Sequence, residues 1–205
     1  DEMCDMLLAS SYLPAFRLEP LGGKLYADGG FKDAVPIHVL IENGYRDIIE
    51  VRMHGIGRKR RFKIPDDASI IPVDAWAYLG KILNFVPEQS RYDLQVGYLD
   101  GKRALYGLYG RQYYIQRTLS EREALDMLIE AENAQDGTRT MRDICESEIP
   151  ALARFVGAAD GSYYDILTAA LEHEADALGV EKLVIRTDRE LMDAINAARV
   201  EGSRI

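Results

Sequence analysis

The stretch 24-KLYADGGFKDAVPIHVLIENGYRDIIEVRM-53 decides the fold. Its first apolar run stops at Asp28 and lies between two glycine pairs, 22-GG-23 and 29-GG-30, which suits a strand better than a helix. Pro36 can occupy the first turn of a helix over 36–43, because the amide it lacks is one that a first turn leaves unbonded. Gly44 then stands where a left-handed residue commonly closes a helix. The segment 47-DIIEVRM-53 reads as a buried strand. Strand, helix, strand is the unit of a parallel sheet covered by helices, so the expected fold class is α/β.

On the amino-terminal side, Met3, Met6 and Leu7 recur at helical spacing, and the helix is expected to end near Ser10 or Ser11, ahead of Pro14. Beyond residue 53 the pattern predicts a strand over 69–73, a helix over 75–85 and a longer helix over 90–108. Gly97 and Gly101 weigh against that last helix by about 1 kcal/mol each, which close packing could offset. From residue 118 onward the helices carry explicit start signals. Ser120 with Glu123, Ser162 with Asp165 and Thr187 with Glu190 have the capping-box spacing, in which the hydroxyl takes an orphan amide and the acid reaches back. Apolar positions follow each box: Leu125, Leu128 and Ile129, then Ile166, Leu167, Leu171 and Leu178, then Leu191 and Ile195. The polar stretch 133–139 is expected to be a loop. The expected organisation is an α/β domain over 1–117 followed by a mainly helical region over 118–205.

A chain of 205 residues can bury a sizeable core, and its 47% hydrophobic and 29% charged residues are ordinary globular values. A formal net charge of −9 argues against nucleic acid as a partner, which needs a dense basic face. The exception is 58-RKRR-61. Cys4 and Cys145 lie far apart without partners at metal-ligand spacing, so neither a disulfide framework nor a metal site is expected, and a reducing, cytoplasmic compartment is the default. No apolar run is long enough for a transmembrane helix, and the opening residues lack the layout of a signal peptide. They do not begin with Met and fall within a helical pattern, so the expectation is a piece of a longer chain, or a trimmed one.

Asp28 is the first candidate for chemistry, since open α/β sheets place reactive groups beyond the carboxyl ends of their strands. The plain alternative is a turn, because Asp-Gly is a common turn dipeptide. The succession 9-ASSYLPAF-16, 24-KLYADGG-30 and 33-DAVPIHVLIENGYRDIIEV-51 resembles the carboxyl-terminal part of the catalytic domain of the patatin-like phospholipase family. The resemblance covers roughly residues 5–52 and continues more loosely through 92–108. It implies a three-layer patatin-like fold, present in part, and cleavage of acyl esters of lipids without cofactor or metal. It further implies that Asp28 is the base of a serine–aspartate dyad, with Gly29 and Gly30 leaving room for substrate beside the carboxylate. A nucleophile elbow needs Gly-x-Ser-x-Gly, and no serine here, from Ser10 to Ser203, has a glycine two positions before or after it. Nucleophile and oxyanion loop would then precede residue 1, and the missing amino-terminal part of the same protein is an expected partner. Two rivals stand beside this: an inactive remnant or regulatory module that binds another protein through the helical region, and an unrelated α/β binding module whose Asp-Gly-Gly is only a turn.

Other candidates carry plainer alternatives. Ser10 and Ser11 read as local hydrogen bonders at a helix end. His38 reads as packed or surface histidine, and His173 has no second ligand at helical spacing. Gly55 and Gly57 lack the third glycine of a dinucleotide loop. Arg58, Lys59, Arg60, Arg61 and Lys63 read either as a solvated loop or as a peripheral contact with anionic lipid head groups. Tyr92, Tyr98, Tyr106, Tyr109, Tyr113 and Tyr114 read as core packing ahead of a lipid interface.

Overall fold

The computed structural model describes residues 2–13, 20–53, 57–81, 86–135 and 137–202. The protein is mixed α/β, about half helical, with two small parallel sheets. It divides into two compact units, residues 1–75 and 76–205. The boundary expected after residue 117 falls inside the second of them.

In the first unit, α1 (Glu2–Ala9) ends at the two serines. Their hydroxyls donate to the carbonyls of Leu7 at 2.7 Å and Leu8 at 2.9 Å, satisfying acceptors that the last turn leaves open. The strand expected over 24–27 does not form. Instead Leu21 and Lys24 bridge each other across Gly22 (φ 56°) and Gly23 (φ 76°), a tight turn that only glycine makes without strain. A strand exists through its neighbour, and Leu25, 69% exposed, finds none. The helix after Pro36 forms as α2 (Ile37–Glu42), with Ile37 buried. Strands β1 (Asp47–Arg52) and β2 (Ser69–Asp74) pair in parallel, Asp47 beside Ser69 and Arg52 beside Asp74. The parallel pairing therefore links β1 to the strand after it rather than to 24–27, and the described part of the connection, 57–68, is not helical. Ile48 and Glu50 face inward along β1; Glu50 is held by Arg52 at 2.6 Å, whose hydrogen bond keeps its carboxyl below the usual range against the opposing effect of burial.

The second unit opens without the helix expected over 75–85: residues 75–81 are irregular, and 82–85 lie outside the described residues. A tertiary bond uses Trp76, whose indole N–H donates to the Tyr114 hydroxyl at 2.7 Å, while that hydroxyl donates to the buried Asp100 at 3.0 Å. Helix α3 (Pro87–Tyr106) buries Val96, Leu99 and Asp100 and closes at Gly107. Apart from the helix's own backbone, no atom of the described residues lies within 4 Å of where a side chain would start at Gly97 or Gly101, so packing among the described residues does not account for either glycine. Strand β3 (Tyr114–Gln116) later pairs in parallel with β4 (Ile185–Thr187).

Between the strands run α4 (Glu121–Gln135), α5 (Met141–Asp143), a π turn, α6 (Ile149–Phe155) and α7 (Tyr163–Ala177), and α8 (Asp188–Gly202) follows β4. Helix α4 extends to Gln135 into the stretch expected as loop. All three expected capping boxes are made: the acid accepts the cap amide at 2.8 Å (Glu123), 2.9 Å (Asp165) and 2.7 Å (Glu190). A fourth, Thr140 with Asp143, starts α5 in the same way. One core joins Leu128, Ile149, Tyr164 and Leu167; another joins Tyr113, Ile115, Leu191 and Ile195. Of the tyrosine stripe, Tyr113 and Tyr114 are core, Tyr109 is partly buried, and Tyr98 and Tyr106 stand exposed on α3.

Candidate functional site

Asp28 is half-buried and caps the 3-10 turn Gly29–Phe31. Its main-chain amide donates to Tyr12 O at 2.7 Å, which fastens the loop to the chain leaving α1. Its carboxylate accepts the Gly30 N–H through Oδ1 at 2.7 Å, as a turn-forming aspartate does. No other hydrogen bond or ion pair to this carboxylate occurs among the described residues. Beside it Gly29 is exposed, and apart from the adjoining chain no atom of the described residues lies within 4 Å of where a side chain would begin. One oxygen is thus fixed, while the other makes no hydrogen bond among the described residues.

The glycine loop is joined to the basic run by main-chain bonds. Arg58 N donates to Gly30 O at 3.0 Å, and Ala34 N donates to Arg58 O at 2.7 Å. Gly57 permits this approach: a Cβ there would lie 2.6 Å from the Ala34 Cβ and 3.1 Å from Gly30 O. Arg58, Lys59, Arg60 and Arg61 are all exposed, and none forms an ion pair among the described residues. Asp28, Gly29, Gly30 and this basic run, separate in the sequence, therefore lie along one pair of joined segments.

Asp33 is the joint between them. Its Oδ1 accepts Val35 N at 3.2 Å and Arg60 N at 3.3 Å. Its Oδ2 faces His38 Nδ1 at 3.0 Å, where both side chains are largely buried. Neither atom has another hydrogen-bond partner among the described residues, so a proton on Nδ1 would satisfy both. His38 also lies 6.0 Å from the Phe62 ring, a packed histidine held at one nitrogen.

The remaining candidates fall elsewhere. Ser10 and Ser11 are occupied with α1 carbonyls. His173 meets Phe155 edge-on at 5.0 Å on the surface of the second unit. Gly55 lies outside the described residues. A cavity of about 490 Å³ belongs to the second unit, between Tyr109–Arg111, Gly157–Gly161 and α7, and not to the Asp28 loop.

Two buried carboxylates of the second unit were not legible as functional or structural positions. Glu172 on α7 accepts the successive amides of Arg111, Gln112 and Tyr113, each at 2.8 Å. Asp188 opens α8 and draws in the chain between β3 and α4. The one available signal was Asp188's place directly after the capping residue Thr187. For Glu172 the partners are about 60 residues distant, with no pattern linking them. Compared with protein families, curated proteins and solved structures, the chain matches none.

Proposed function

We propose that the first unit is the carboxyl-terminal part of a patatin-like catalytic domain, and that the protein it belongs to is a serine-dependent lipid acyl hydrolase with Asp28 as base. The observation that carries this is the Asp28 carboxylate itself, tethered through Oδ1 to the Gly30 amide and otherwise unbonded among the described residues, beside an uncrowded Gly29. The residues flanking it supply the family resemblance. In this scheme a serine from outside residues 1–205 gives its hydroxyl proton to Asp28 as its oxygen attacks the ester carbonyl carbon. The proton passes to the departing alcohol, and water, deprotonated by the same carboxylate, then releases the acid and restores the serine. The parallel β1–β2 pair, with Ile49 and Val51 exposed, suits a larger parallel sheet, since such sheets are covered on both faces.

A second reading, a module that binds another protein without catalysis, is favoured by α1, where Met3, Met6, Leu7 and Leu8 are all exposed. The two are separated in the protein produced together with the residues encoded before Asp1. There Asp28→Asn should lower esterase turnover by about 10²-fold or more with the fold retained. Unchanged turnover would remove Asp28 from the mechanism, and absence of any esterase activity in the unaltered protein would favour the binding module.

A further inference from the structure

Half of the lysines and arginines of the first unit fall between residues 58 and 63. Four of them are consecutive, exposed and without an ion-pair partner among the described residues, in a chain whose net charge is −9. Consecutive like charges repel, and an irregular segment would ordinarily relieve this by swinging free. Here the segment is held: Gly30 O takes the Arg58 amide, Ala34 donates back to Arg58 O, and the buried Asp33 carboxylate takes the Arg60 amide at 3.3 Å. The main chain is fixed while the guanidinium and ammonium groups stay in solvent. On the loop to which the run is bonded, Phe31 is 53% exposed, and Ile64 next to Lys63 is 45% exposed.

We propose that Arg58–Arg61 is a docking surface for an anionic lipid membrane, seated on the glycine loop by Asp33. Cations flanked by bare apolar side chains suit a membrane interface, where head groups meet the charges and the aromatic ring enters the acyl boundary. A nucleic acid would need a wider basic face than these five consecutive or near-consecutive cations give, in a chain whose net charge is −9. The surface holds whether or not Asp28 is catalytic, because docking requires no nucleophile.

The test is flotation of the whole chain with vesicles of phosphatidylcholine alone and with roughly one quarter phosphatidylserine, at low and high salt. Binding should require phosphatidylserine and weaken with salt. The double variant Arg58→Glu/Arg60→Glu, altered only at exposed side chains, should bind at least about tenfold more weakly. Asp33→Ala separates seating from bulk charge: it removes an acid, which by charge alone would tighten binding, yet by freeing the run it should weaken it. Asp33→Asn keeps an acceptor at Oδ1 and should restore binding. Equal binding to neutral vesicles, indifference to the double variant, or preferential capture by single-stranded RNA in competition would overturn the docking surface, as would full displacement by millimolar inorganic phosphate. Undiminished binding of Asp33→Ala would overturn the seating. Loss of esterase activity in Asp28→Asn has no bearing on any of these outcomes.

Discussion

The Asp188 carboxylate accepts the Thr118 amide at 2.7 Å, tying the first residue of α8 to the chain that leaves β3. It also accepts the Leu119 amide at 3.0 Å, its own neighbour Arg189 at 2.9 Å, the Tyr164 hydroxyl at 3.2 Å and the Thr118 hydroxyl. Burial alone would raise this carboxyl, but the bonds from Thr118, Leu119 and Tyr164 outweigh burial and hold it below its ordinary value. A folded-state value below the unfolded one means that stability is present above the unfolded value, near 3.9, and is lost as pH falls through the folded one. Asp188→Asn should therefore destabilise the second unit by about 2–4 kcal/mol at neutral pH. The deficit should shrink below about pH 4, where the carboxyl protonates in the unfolded chain before it does in the folded one. Thermal unfolding of both proteins at neutral and acid pH checks this; a deficit of constant size would assign the effect to shape and not to charge.

Glu172 is a second such clasp, and its loss should be local in a way that can be read residue by residue. Glu172→Ala leaves the amides of Arg111, Gln112 and Tyr113 without the carboxylate that each meets at 2.8 Å. A buried donor left unpaired costs about 1–3 kcal/mol, while a donor that opens to water costs less. The expected loss is about 2–4 kcal/mol, with Glu172→Gln, which keeps one acceptor, losing less. Amide hydrogen exchange at Arg111–Tyr113 is the measurement. Protection surviving in the alanine variant would mean that another acceptor holds the loop.

How much of this could be seen in the sequence follows from the range of the interactions. The capping boxes were legible because hydroxyl and acid lie three residues apart and meet whatever the tertiary fold. The strands at 47 and 69 were legible from their apolar runs, and α2 from Pro36 and Gly44. Lys24–Ala27 shows the opposite case: a short apolar run becomes a strand only beside a partner, and its nearest glycine pair made a turn instead. Residues 75–81 failed as a helix where Trp76 is engaged by Tyr114, a partner 38 residues away. In the candidate site, Asp28 and the basic run were each conspicuous alone. Their joining through Gly30, Gly57 and Asp33 depends on main-chain bonds across a loop, which no local pattern encodes.

Within α3, Gly97 is exposed, and among the described residues nothing beyond its own helix backbone lies within 4 Å of its missing side chain. Its backbone is helical, so alanine fits without strain and narrows the freedom of the unfolded chain. Gly97→Ala should stabilise the second unit by about 0.5–1 kcal/mol. A rise in the midpoint of thermal unfolding is expected, and an unchanged or lower midpoint would point to a contact that this helix surface makes elsewhere.

The same exchange of hydrogen for methyl at Gly57 should have the opposite sign. There the new carbon would stand 2.6 Å from the Ala34 Cβ and 3.1 Å from Gly30 O, and the second of these is main chain that cannot rotate aside. Relief requires the 57–60 segment to move from the loop, stretching the Arg58-to-Gly30 and Ala34-to-Arg58 bonds together. Overpacking of this kind costs about 1–3 kcal/mol. Exchange of the Arg58 and Ala34 amides should accelerate by about tenfold or more, since each 1.4 kcal/mol of lost local stability is one decade. Amides of the second unit provide the internal control. If Arg58 and Ala34 exchange at wild-type rates in Gly57→Ala, the two segments are not held together by the contact that Gly57 allows, and the joining of the acidic loop to the basic run fails with it.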